Sequence, residues 1–175
     1  MDVSSHASHI RVMKRTIYLA GGCFWGVEEY FSRLKGTLST EVGYANGTTE
    51  NPAYEDLKQG RADHAETLRL DYDDAVLPLE KIVEHFLRFV DPYSVDKQGH
   101  DVGHQYRSGI FSNDEDEREL IANLLKAKVG ENHKIAVTPL LNFYEAEEYH
   151  QDYLKKNPHG YCHVNLSLIK PNEAK

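Results

Sequence analysis

The sequence predicts an α+β fold: a two-layer sandwich of split βαβ, ferredoxin-like type, with additional helices and a long C-terminal loop. Three observations predict it. Period-2 runs and 3.6-period apolar stripes follow one another in the order β-α-β-β-α-β. Glycine and X-Pro punctuation separates them. The 175 residues, 40% hydrophobic and 27% charged, suit one core that folds without disulfide staples.

Residues 1–15, with Ser4, Ser5, His6, Ser8 and His9, read as a flexible tail, and 16–175 as a single domain. Thr16–Ala20 is a β-prone run closed by Gly21-Gly22. The period then changes. Val27, Tyr30, Phe31 and Leu34 form the apolar stripe of a helix with Cys23 at its entrance. Leu38–Tyr44 predicts a second strand, and Asn51-Pro52 opens a short helical piece reaching Lys58. Glu66–Tyr72 alternates, with Leu68, Leu70 and Tyr72 on one face, so it predicts a third strand. Pro78 opens a helix carrying Leu79, Ile82, Val83, Phe86, Leu87 and Val90, stopped by Asp91-Pro92.

Residues 91–106, containing Gly99 and Gly103, are expected to be loop, and Arg107–Ser112 a strand. Asp114–Glu117 places acids on the first turn of a helix that ends with Lys126, Lys128 and Gly130, matching the helix dipole. Lys134–Val137 predicts a strand. Ala146, Tyr149, His150, Tyr153 and Leu154 predict a last helix, ended by Asn157-Pro158. From His159 the chain is expected to be an irregular surface segment, carrying Cys162 and able to reach other parts of the fold.

With 20 Lys+Arg against 28 Asp+Glu, the net charge of −8 disfavours nucleic acid, whose phosphates attract basic patches. No apolar run approaches the ~18 residues of a membrane span. Met1–Arg15 lacks the apolar stretch of a secretory signal, so the expected location is cytoplasmic. Two cysteines, Cys23 and Cys162, exclude a disulfide-rich scaffold and an all-cysteine zinc site. They leave buried filler, one structural bridge, or redox chemistry.

Cys23 is the first candidate for chemistry. A thiol at a helix N-terminus meets the positive dipole end and free N–H groups, which favour the thiolate; burial as a structural cysteine is the alternative. Glu66 stands at the start of an apolar strand, where taken alone it reads as an exposed edge carboxylate. His64-Ala65-Glu66 lacks the Pro-Cys-x-x-Cys partner of a zinc nucleobase deaminase. His100 and His104 would share a metal only on one helical turn, which Gly99 and Gly103 disfavour. Gly21-Gly22 has no phosphate-binding spacing. No metal or organic cofactor is expected.

Taken together, these segments resemble one family. Gly22-Cys23-Phe24-Trp25-Gly26 is similar to the signature of the A-type peptide methionine sulfoxide reductases. The similarity continues through Gly43-Tyr44, Asn51-Pro52-Ala53-Tyr54, His64-Ala65-Glu66, Asp101, Gln105-Tyr106-Arg107-Ser108 and Asn157-Pro158-His159-Gly160-Tyr161-Cys162. The resemblance implies Cys23 as nucleophile, Glu66 as acid, and Tyr54 and Tyr106 as donors to the sulfoxide oxygen. It implies Phe24 and Trp25 as the pocket for the substrate methyl group, Asp101 as the residue orienting the substrate, and Cys162 as the resolving cysteine. It further implies selectivity for the S epimer, free or in proteins, and thioredoxin as reductant. Where members often carry Asn and Gly-Gly, this chain has His100 and Asn46-Gly47; neither change removes a catalytic group. No cysteine follows Cys162, so a Cys23–Cys162 disulfide would be the species presented to the reductant.

The chemistry agrees with that assignment. A sulfoxide sulfur is a poor electrophile until its oxygen is protonated or strongly hydrogen-bonded, so a thiolate needs an acid beside it. Glu66 serves only if protonated near neutral pH. Burial against Phe24 and Trp25, and a neighbouring thiolate, would raise its pKa, with one proton shared across the pair. Other classes predict other behaviour: a thiol peroxidase or redox sensor reacting at Cys23, or a binding module with a permanent bridge.

Overall fold

The computed structural model describes residues 12–175. Most of the expected tail lies outside them, and its last two positions, Lys14 and Arg15, already belong to strand β1 (Lys14–Gly21). There follow helix α1 (Phe24–Ser32), β2 (Thr37–Ala45), α2 (Tyr54–Lys58), β3 (Ala65–Asp73) and α3 (Leu79–Phe89). Next come β4 (Lys97–Gln98), β5 (Asp101–Val102), β6 (Ser108–Phe111), α4 (Glu115–Val129), β7 (Ala136–Thr138), β8 (Phe143–Glu145) and α5 (Tyr153–Lys156).

A six-stranded sheet runs in the order β7-β6-β1-β3-β2-β8. It is mixed: β1, β2, β3, β6 and β8 pair antiparallel, while β6 and β7 pair parallel. Central β3 is buried at every position except Arg69, which is half-buried. Leu68 and Leu70 share the sheet's core face with Leu19 and Ile17, their register partners on β1. Val27, Tyr30 and Phe31 of α1 and Ile82, Val83 and Phe86 of α3 close over this face. Each such side chain removed from water contributes roughly 1.5–3 kcal/mol. On the opposite face Asp71 is kept buried by hydroxyls, accepting from Thr16 at 2.5 Å and Ser39 at 2.8 Å.

Three expectations change. The 91–106 stretch is loop apart from the short β4–β5 ladder and a 3-10 turn at His104–Tyr106. Strand β8 was not expected. The single helix expected around residues 146–154 is broken into a 3-10 turn, Glu148–His150, and the short α5, with Asp152 between them in the left-handed region at φ 50°. Long-range hydrogen bonds impose the break. The Asp152 N–H donates to Glu28 Oε1 on α1 at 2.7 Å, and the Gln151 side chain bonds both the N–H and the C=O of Val42, at 2.9 Å each. The apolar positions of this segment record what it covers, not a helical period.

Candidate active site

β1 ends at Gly21, and the chain turns into α1 through Gly22, at φ 93°. A Cβ on Gly22 would lie 2.8 Å from Gln98 Cβ and 2.9 Å from His163 Nε2, so only glycine fits this turn. Cys23 is the N-cap residue of α1 and is 7% exposed. The first amide of the helix, Phe24 N–H, donates to Glu66 Oε1 at 3.2 Å. Glu66 thereby fills the cap that the cysteine side chain leaves open.

The position of Glu66 on an exposed edge is overturned, because it is 1% exposed. β3 has neighbours on both sides, and Glu66 faces Tyr44 in the β2 register. Burial pushes its carboxyl up to about 8, against the pull of the Phe24 N–H and the Gln105 side chain, with Asp101 adding to the rise. The expected repulsion between the thiolate and the carboxylate falls on the cysteine of the pair. Cys23 departs from expectation too. Burial, and after it the Glu66 charge, push the thiol far above its ordinary range, and the Trp25 N–H offsets this only in part. The helix end does not win here. At rest both groups favour their protonated forms, and Glu66 Oε2 has no partner.

Tyr54 opens α2, and its N–H donates to Glu147 Oε2 at 3.0 Å, while Tyr44 OH donates to Glu147 Oε1 at 2.7 Å. Tyr106 closes the 3-10 turn. Burial, then the Glu66 charge, hold both phenols above their ordinary range, so they remain neutral donors. The charges of Cys23 and Asp101 also raise both phenols, and Asp101 Oδ2 lies 3.8 Å from His163 Nδ1, whose ring bonds the Gly21 carbonyl at the end of β1. Phe24 is 1% exposed, its ring centroid 5.2 Å from that of His150. Trp25 stacks on Tyr153 at 3.8 Å and donates its indole N–H to His150 Nδ1 at 2.9 Å.

Cys162 comes back over α1. A Cβ on Gly26 would lie 3.1 Å from Cys162 Sγ and 3.0 Å from Val164 Cγ2. The Cys162 thiol donates to Val164 O at 3.2 Å. Both cysteines are free thiols. The sequence-predicted residues therefore converge: Cys23, Glu66, Tyr54, Tyr106 and Asp101 around the entrance of α1, Phe24 and Trp25 on its first turn, and Cys162 above that turn. His100 stays exposed, and His104 pairs with Asp96 at 3.1 Å. Among the described residues no cluster of His, Cys, Asp and Glu is arranged to hold a metal ion. Sequence reasoning missed Glu147 and His150, which fix Tyr54 and Trp25. His150 was legible only as a histidine on an apolar stripe.

The peptide methionine sulfoxide reductase family model matches residues 15–175. The chain is 54% identical over 155 residues to the peptide methionine sulfoxide reductase MsrA of Lachnoclostridium phytofermentans, covering 87% of this chain and 93% of that one. It is 49% identical over 161 residues to the MsrA of Ureaplasma urealyticum, covering 90% and 98%. Among solved structures it resembles the reduced form of Mxr1 from Saccharomyces cerevisiae, with TM-score 0.77, 37% identity and coverage of 85% and 88%. It also resembles Mxr1 in complex with Trx2, with TM-score 0.54, 28% identity and coverage of 80% and 84%. The chain belongs to the peptide methionine sulfoxide reductase family.

Proposed function

We propose that this enzyme reduces methionine-S-sulfoxide, free or in proteins, to methionine, and that the oxidised enzyme is then reduced by thioredoxin. The observation that carries the reading is the buried Cys23–Glu66 pair at the entrance of α1, with the second free thiol over the same turn. The substrate class follows from family membership, and the thioredoxin partner is supported by the complex of yeast Mxr1 with Trx2.

In this reading the sulfoxide oxygen sits between Glu66, Tyr54 and Tyr106, its methyl group against Phe24 and Trp25, and Asp101 orients the rest of the substrate. Glu66 protonates the oxygen, its carboxylate takes up the Cys23 thiol proton in exchange, and the cysteine sulfur attacks the sulfoxide sulfur. The two phenols stabilise charge developing on oxygen. Oxygen passes to Cys23 as sulfenic acid, and methionine leaves. Cys162 then attacks: its thiol loses a proton, the S–S bond forms, the S–O bond breaks, and water departs. No step requires a metal or organic cofactor. Residues 16–175 act as one cytoplasmic domain without nucleic-acid or membrane partners. Its sheet strands β6-β1-β3-β2 form a split βαβ, ferredoxin-like unit, a reading supported by their antiparallel order.

Mass spectrometry of the reduced protein tests the proposal. Addition of methionine sulfoxide without reductant should yield about one methionine per enzyme and remove two hydrogens from Cys23 and Cys162 together. Equal oxidation by peroxide with no methionine formed from the sulfoxide would instead support a peroxidase or sensor.

A further inference from the structure

His163, next to the second thiol, has no place in the chemistry above, yet it is enclosed: its side chain is 4% exposed. Its Nε2 lies 3.0 Å from the carbonyl oxygen of Gly21, the last residue of β1. A carbonyl only accepts, so Nε2 carries the hydrogen and donates it, which leaves Nδ1 with its lone pair in the neutral ring. That Nδ1 faces Asp101 Oδ2 at 3.8 Å. Both atoms are buried, and neither has another partner. The ring also rests on the bare backbone of Gly22, beside Gln98, which is itself fixed by hydrogen bonds to Asp91 and Ser108.

One residue earlier, Cys162 sits over Gly26; one residue later, Val164 is buried against the same glycine. Ring and thiol are therefore held by the two ends of the Gly21–Gly26 segment, in which Cys23 stands between them along the chain. We propose that His163 is a positioning residue for the resolving step: its bond to the Gly21 carbonyl seats the irregular C-terminal segment so that Cys162 waits beside Cys23 before the sulfenic acid forms. Release of methionine does not depend on this seat, whereas closure of the disulfide does. The inference rests on the assignment of Cys23 and Cys162 above.

A single-turnover experiment on the full reduced chain, with methionine sulfoxide and no thioredoxin, separates the two steps. Methionine is counted by rapid quench, the sulfenic acid by a trapping dione, and the disulfide by mass. His163→Ala should slow disulfide closure by about tenfold to a hundredfold, the scale on which misplacing a reacting group acts, and let sulfenic acid accumulate. Methionine release should fall by far less. In His163→Gln the side-chain amide reaches where Nε2 stood and can donate to the same carbonyl, so closure should recover most of its rate. Closure at the parent rate in His163→Ala would overturn the seat, as would a glutamine variant no faster than alanine. Equal loss of methionine release and closure in both variants would overturn it in favour of a purely structural role. A parent that releases methionine but never joins Cys23 to Cys162 would overturn the seat together with the resolving assignment beneath it.

Discussion

The two cysteines lie in contrasting parts of the molecule. Cys23 stands at the N-terminus of a helix that is wedged against a sheet, 7% exposed, its thiol pushed far up by burial and by Glu66. Cys162 is half-buried in a segment without regular structure, its thiol raised above its ordinary value by burial but partly relieved by the Val164 backbone N–H. The first site is built by strands and a helix that cannot shift independently; the second is held by a few side-chain contacts. In the proposed reading, chemistry that demands angstrom placement of an acid and a nucleophile falls to the first, and disulfide closure by a thiol seated through a few contacts falls to the second.

That contrast breaks if the two cysteines behave alike. Cys23→Ser should abolish methionine formation altogether. Cys162→Ser should retain about one fast turnover per enzyme and lose regeneration by thioredoxin. Rapid-quench counting of methionine checks both, and sustained thioredoxin-linked turnover in Cys162→Ser would erase the distinction. Next in size, Glu66→Gln should slow the first turnover by ~10²-fold or more, the scale of lost general acid catalysis. An unchanged first turnover would mean that the tyrosines or solvent supply the proton.

The smallest effect sharpens the idea that the scaffold is costly to build. Glu28 on α1 is 2% exposed, and its Oε2 has no partner. Burial pushes its carboxyl up to about 7, against the Asp152 N–H, Thr40 and Lys155. A carboxyl raised in the folded state stabilises the fold fully below its unfolded value and loses that contribution as pH rises through the folded value. Between pH 4.5 and about 7, ionisation of Glu28 in the unfolded chain should therefore erode stability, by up to about 3 kcal/mol. Glu28→Gln keeps an oxygen for Asp152 N–H and should flatten this slope. Denaturant midpoints across that pH range measure it, and parallel slopes in parent and variant would remove Glu28 as the cause.

The same contrast governs what could be read from the sequence. β1, α1, β2, β3, α3 and α4 follow from periodicity and punctuation, because each buries one face or stripe against a neighbour with its own regular period. Cys23 and Glu66 could be located, but the burial of Glu66 could not: a carboxylate at a strand start reads as exposed until the strands beside it are known. The segment around residues 146–154 misled for the opposite reason. His150 and Tyr153 share a helical spacing, yet both turn inward because they cover Trp25, and Asp152 between them bends left-handed under the pull of Glu28. Local pattern cannot report a hydrogen bond across more than a hundred residues.

The placement of the two sulfurs has a topological consequence. Cys23 lies just after the first strand and Cys162 near the end of the chain, so a bond between them turns an open chain into a ring that contains most of the domain. Closing so long a loop removes about 5 kcal/mol of chain entropy from the unfolded state. The enzyme would thus change its own connectivity twice in every cycle. Its oxidised form should unfold at higher denaturant than its reduced form, so that the protein waiting for a reductant is also the one best protected from unfolding.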